Sequence, residues 1–321
     1  EMKVGIAGEV VPRSRFPSVI GRDHSKFVAV GSEATGMTVM NKYSLDLAWP
    51  IDHGIITDWD SVEFLWRHCF DNQLLFHINP REHPVLMSEP PFNPHAIRER
   101  TCSIMFEAFG VPSFSLINSP ELAFHGSPPP SPSNGIIIDI GGGVTHVVPI
   151  VGGKAFPKAV RREDISGADL TVALARMFAS DRGYSLTTSL EIDLVRQIKE
   201  RLCFVALDPG AESKRGSREL ERSFELPDKQ VVSVGSERFR CPEMLFHPSF
   251  PGLELPGIHR VILDSIGLCD PQVRHSMWEN VILAGAGSMF HGLSDRLHLE
   301  LSRIAPPQTS VRVFSPPERA T

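Results

Sequence analysis

Between Gly135 and Ile150 the chain reads Gly-Ile-Ile-Ile-Asp-Ile-Gly-Gly-Gly-Val-Thr-His-Val-Val-Pro-Ile. A bulky aliphatic run, three glycines and a second apolar run spell strand, tight turn, strand. Three successive residues without Cβ atoms let backbone N–H groups close around a bulky anion such as phosphate, which singles out Gly141, Gly142 and Gly143. Asp139, at the end of the first run, is placed to hold Mg²⁺ or Ca²⁺ through the ion's waters. An ordinary glycine-rich hairpin with a solvated Asp139 fits the same residues.

Three distant stretches share this look. Gly5-Ile-Ala-Gly8 follows Lys3 near the start. Ser166-Gly-Ala-Asp-Leu170 opens a helical pattern, with Gly167 at its head. Val281-Ile-Leu-Ala-Gly-Ala-Gly-Ser288 runs an apolar strand into small residues around Gly285 and Ala286. Several strand-to-glycine turns along one chain point to a nucleotide gripped between two similar halves.

The remaining composition narrows the class. The chain has 321 residues, 41% of them hydrophobic, enough for a large core and two domains. Its net charge is −6, without a basic block, so neither nucleic acid nor a membrane surface is an expected partner. The five cysteines are scattered without metal-ligand spacing and read as reduced, mostly buried thiols. No apolar run reaches the ~18 residues of a membrane helix. No signal-peptide pattern opens the chain, which starts at Glu1 as a trimmed chain would.

The periodicity predicts a helix over Trp59–Phe70 capped by Asp58 or Asp60, and another from Asn93-Pro94 to Phe109. Strands are expected at Pro84–Met87 and Phe114–Ile117. Helices are expected over Asp169–Ala179 and Ser189–Leu207. Pro209–Arg222 reads as a surface loop, and Phe224–Phe239 as a hairpin turning at Pro227-Asp228. Residues 127–134, Ser-Pro-Pro-Pro-Ser-Pro-Ser-Asn, read as an extended linker or, alternatively, a docking strip for a proline-motif reader.

Other stretches carry a resemblance: Phe16-Pro-Ser-Val-Ile-Gly-Arg22, Pro50-Ile-Asp-His-Gly-Ile-Ile-Thr-Asp-Trp59, Arg196-Gln-Ile-Lys-Glu-Arg-Leu-Cys203, Glu237-Arg-Phe-Arg-Cys-Pro-Glu243 and Pro316-Pro-Glu-Arg319. In this order they resemble actin along nearly the whole chain, and His53 stands at the position of actin's modified histidine. The resemblance implies an α/β, actin-like ATPase fold with two RNase H-like halves around a nucleotide cleft. It implies a first subdomain at 1–17 and 50–126, lacking its C-terminal helices, and a second at 18–49 with a shortened inter-subunit loop. The Pro-rich linker at 127–134 follows, then a third subdomain at 135–165 and 255–321 and a fourth at 166–254.

It also implies site roles. Lys3 would reach the phosphates, although the strand and hairpin that precede it in actin are absent. Asn118 stands for a glutamine and, with His146, would order the attacking water; its shorter side chain would misplace that water, which can cost ~10²-fold in rate. A plain turn or cap role for Asn118 remains open. Lys199 and Glu200, with Arg196 on the same helical face, would hold the adenosine, although a solvated i,i+4 charge pair fits the same spacing. Gly285, Ala286 and Met289 would line the base and phosphates, with Phe290 beside Met289. Gly142 stands where actin has an aspartate, and Ala286 where it has glycine.

Two readings follow. The first is a divergent actin-like scaffold subunit of a cytoskeletal assembly, binding ATP or ADP with Mg²⁺ or Ca²⁺ weakly or not at all. The alternative is an ATP-hydrolysing, filament-forming actin-related protein. Expected partners are actin, other actin-like subunits and cytoskeletal proteins, in the cytoplasm or nucleus.

Overall fold

The computed structural model describes residues 1–321 except 10, 24–25, 40–44, 74–77, 127–132, 185, 227–228, 249–254 and 321. The Pro-rich stretch at 127–132 and the turn at Pro227-Asp228 therefore lie outside the described residues. Two compact units divide the chain, 1–122 and 123–320.

In the first unit Met2–Val4 pairs antiparallel with Ser14–Phe16. Ile20–Asp23 lies between Lys26–Val30 and Asp46–Ala48 in a three-stranded sheet. The helix Trp59–His68 begins where expected: Asp58 is its N-cap, accepting from Ser61 N at 3.2 Å. Its apolar stripe, Val62 and Trp66, packs on Met105, Phe109 and Val111. The strands Val85–Glu89 and Phe114–Asn118 run parallel. The helix between them is regular only over His95–Ser103 and becomes a π-helical turn over Ile104–Phe109. Gly110, at φ 70°, ends it.

The second unit is built on one six-stranded sheet. Its strands are β1 (Asn134–Ile140), β2 (Thr145–Val151), β3 (Lys154–Ala155), β4 (Arg161–Glu163), β5 (Val281–Ala284) and β6 (Val313–Phe314). β1 pairs antiparallel with β2 and parallel with β5. This explains the unbroken isoleucine run, because a central strand covered on both faces has no use for polar alternation. Ile136, Ile138 and Ile140 join the large core with Leu170, Leu174 and Phe178. Ile137 joins the smaller core on the other face with Phe124, Val148 and Ile282.

The helices are α1 (Gly167–Arg182), α2 (Ser189–Leu202), α3 (Glu237–Glu243), α4 (Ile258–Gly267), α5 (Pro271–Glu279) and α6 (Leu293–Ile304). α2 starts on a capping box, with Thr188 Oγ1 accepting from Glu191 N and Glu191 accepting from Thr188 N. It stops at Leu202, five residues short of the expected Leu207, because Phe204 leaves the helix to bridge in parallel with His291. The segment read as a loop, 209–222, instead contains two single-turn helices, Pro209–Glu212 and Ser217–Leu220. The first rests on the Asp208 side chain, which accepts from Ala211 N at 3.0 Å. The hairpin is Arg222–Glu225 with Val231–Val234; beyond it the chain turns into α3 rather than continuing as strand to Phe239.

Candidate functional site

In the second unit the carboxyl ends of β1 and β5 lie side by side, Asp139 against Ala284. Ligands of open α/β sheets collect at such ends. Each strand runs into a glycine turn. After β1, Gly141 N donates to Val144 O at 2.9 Å and closes the turn into β2. After β5, Gly285 at φ 81° starts a 3₁₀ turn over Ala286–Ser288.

The two turns pack on each other. A Cβ at Gly285 would meet Ile140 O and, at 2.5 Å, Asp139 Oδ1. One at Gly287 would lie 2.8 Å from Ile140 O. These are distances no side chain tolerates against backbone, so both positions need glycine. At Gly142 a Cβ would meet nothing within 4 Å, so that side of the first turn is open. Ala286 and Met289 are exposed on the second turn. Phe290, expected beside a base, is instead 9% exposed in the core.

The first turn is anchored to α1. Gly167 N donates to Gly141 O at 3.0 Å, and Ala168 N to Gly142 O at 2.8 Å. Ser166 Oγ lies 2.9 Å from Gly142 O and 2.6 Å from Asp169 Oδ2. The Gly167 and Ala168 N–H groups, unsatisfied within the helix, are thereby committed to the protein's own carbonyls. The second turn is held by Arg319, which sequence reasoning missed as a site residue. Its Nε donates to Ser288 Oγ and its Nη2 to Ser288 O, both at 3.1 Å, while Gly285 N donates to Arg319 O at 2.9 Å. The signal for it was available, since Arg319 closes the Pro-Pro-Glu-Arg motif.

His146 is the cross-strand partner of Asp139. Residues paired this way share a face of the sheet. The imidazole is 2% exposed, and its Nε2 has no hydrogen-bond partner among the described residues. Burial first, and the Arg162 guanidinium second, push its pKa down to about 4. His146 is therefore a neutral imidazole at pH 7, with a ring nitrogen able to give to or accept from a water.

The α2 residues part company. Lys199 is buried and donates to Gly167 O and to Thr171 Oγ1, the latter at 2.8 Å. Desolvation lowers its pKa. Arg196 and Glu200 are exposed and pair with each other at 3.0 Å, and Arg196 also holds Asp193 at 2.7 Å. Lys199 thus reaches the glycine turns through Gly167, while its neighbours form a solvated charge cluster.

The two other candidates belong to the first unit. Lys3 is exposed on the strand Met2–Val4, and Asn118 closes the strand paired with Val85–Glu89. No group of three His, Cys, Asp or Glu side chains that could hold a metal gathers among the described residues. A cation near Asp139 would depend on waters and on a ligand's own oxygens.

A family model described as Actin matches residues 1–321. The chain belongs to the actin family. An actin-like ATPase fold follows from that membership, and the sheets and helices above are consistent with it. Actin-family proteins generally bind ATP or ADP with a divalent cation. The residues of the second unit fit the phosphate end of such a ligand: two glycine turns at the strand ends, an open side at Gly142, and the buried, unpartnered Nε2 of His146. No helix among the described residues is long and apolar enough to cross a membrane.

Proposed function

We propose that this actin-family chain is a divergent structural subunit of a cytoskeletal assembly, in which the glycine turns take ATP or ADP weakly and turn it over slowly or not at all. One observation carries the reading: the cradle's shape is kept while its charges are spent within the protein. Lys199 is held by Gly167 and Thr171, and Arg196 and Glu200 hold each other. A ligand would have to displace these bonds or do without them.

In this reading Gly142 and Gly143 present backbone toward phosphate, Asp139 holds a cation's water shell, and Met289 offers an apolar surface to a base. A bound nucleotide with its divalent cation supplies the phosphoryl group and the charge that polarises it. The neutral His146 would orient a water through Nε2. Asn118, in the first unit, is one methylene short of the glutamine it stands for and is by itself a poorer group for ordering a water. The four-part subdomain division, partners among actin-like and cytoskeletal proteins, and a cytoplasmic or nuclear location belong to the same reading.

The test is a thermal melt with and without Mg²⁺–ATP. Ligand at a hundredfold excess over Kd stabilises the folded state by about 2.7 kcal/mol, roughly 4 °C for a chain of this size. A shift well below that at millimolar ATP supports the scaffold reading. The second reading, an active ATPase, is favoured by the orphaned Nε2 opposite Asp139. It would take over if the full shift appears together with phosphate release that His146→Ala slows while leaving ATP affinity unchanged.

A further inference from the structure

Beyond the glycine turns, the second unit holds a cavity of about 360 Å³ where α2 ends. Its walls come from Arg201–Phe204, the two single-turn helices, Arg222 at the head of the hairpin, and Arg238 on α3. Helices of one turn bury little, so they present their charged side chains to this space.

The charges do not balance. Four guanidinium groups (Arg201, Arg215, Arg222, Arg238) face two carboxylates, Glu212 and Glu219. Both carboxylates are taken by Arg215, at 2.9 and 3.2 Å. The other three arginines have no ion-pair partner among the described residues. Arg222 Nη1 donates to the carbonyls of Glu219 and Glu221 at 3.1 and 2.7 Å. Arg238 donates to Leu202 O and Leu220 O, each at 2.8 Å, and its guanidinium lies 4.9 Å from the centre of the Phe204 ring. Arg201 lies over Phe224 at 5.5 Å. Carbonyls and aromatic faces orient a guanidinium without cancelling its charge. Burial, and after it the nearby Arg222, lower the pKa of Arg238, as crowded cations do. All this occurs in a chain whose net charge is −6.

We propose that this cavity is an anion site, separate from the glycine turns, that takes a small phosphate-bearing molecule between Arg201, Arg222 and Arg238. Guanidinium forks match phosphate oxygens in pairs, and the volume lies at the lower end for small-molecule pockets. The phosphate neutralises a cluster that the protein's own carboxylates leave charged.

Calorimetric titration of the full chain with inorganic pyrophosphate tests this, with and without saturating Mg²⁺–ATP. Binding should appear and persist in the presence of Mg²⁺–ATP. Arg222→Gln should weaken it at least tenfold, and Arg201→Gln, which disturbs only a ring contact, should act in the same direction. Arg303→Gln, an equal charge change at an exposed position of α6, should leave it within about twofold. Absence of binding at millimolar pyrophosphate, loss of binding under Mg²⁺–ATP, or equal weakening by Arg303→Gln would overturn the proposal. Failure of ATP to bind elsewhere would leave each of these readouts intact.

Discussion

The two glycine turns look alike in sequence and differ in what they demand. The Gly141–Gly143 turn is the richer in glycine, yet none of its three residues has a positive φ, and a side chain at Gly142 would enter open space. The Gly285–Gly287 turn has an alanine in its middle, yet its two glycines abut the end of β1 with no room for a methyl group. In the first turn Gly142 keeps a surface open to whatever approaches it, while Gly141, where a Cβ would lie 2.9 Å from Val144 O, closes the turn. Glycine in the second lets two backbones touch. The first requirement concerns a ligand and the second concerns folding, so substitutions at the two sites should separate function from stability.

The largest effect is expected at Gly285. Gly285→Ala puts a Cβ against backbone at φ 81° and should cost roughly 2–4 kcal/mol, read as a lower urea midpoint at unchanged slope. An unchanged midpoint would mean that the turns separate easily. Next comes His146, whose neutral form is tied to the folded state. Its pKa is about 4 when folded and near 6.5 when exposed, so the unfolded chain binds the extra proton between those values. Stability contributed by this group is complete above pH 6.5 and falls as pH drops toward 4, by about 3 kcal/mol at most. Melting temperatures across that window should fall more steeply for the wild type than for His146→Asn; parallel curves would show that water reaches the ring.

Gly287→Ala meets the Ile140 side chain at 2.6 Å as well as its carbonyl, and should cost roughly 1–3 kcal/mol by denaturant unfolding, less than Gly285→Ala because a side chain can yield. The smallest stability effect is expected at Gly142. Gly142→Asp should stay within about 0.5 kcal/mol of wild type while tightening Mg²⁺–ATP binding, because it adds a carboxylate on the open side of the turn. A large loss of stability there would erase the contrast between the turns.

Much of this contrast was hidden in the sequence. The isoleucine run announced β1 because a central strand is apolar on both faces, and the helical pattern from Ser189 announced the start of α2. The end of α2 was overread because Cys203–Ala206 stays apolar and no glycine or proline stops it; the stop is Phe204 pairing with His291, a contact 87 residues away. Pro209–Glu212 was missed although Asp208 followed by proline is a start signal, since a charged stretch reads first as loop. The spacing of Arg196, Lys199 and Glu200 placed all three on one helical face, whereas Lys199 turns inward and the other two face solvent. Position on a helix fixes direction, and burial depends on what the rest of the chain brings to that side. Likewise Gly142 and Gly285 are one letter in sequence, and only the neighbouring strand end distinguishes them.

The anchoring of the first turn to α1 has a mechanical meaning. The carbonyls of Gly141 and Gly142 grip the leading end of a 16-residue helix, a rod about 24 Å long. At its far end Arg182 is clasped to Glu237 at 2.6 Å, where α3 begins. Whatever tugs the turn by an ångström must therefore stretch two hydrogen bonds or move the rod, and moving the rod shifts a carboxylate two dozen ångströms away. The glycine turn is a handle, and α3 is where a pull on it would be felt.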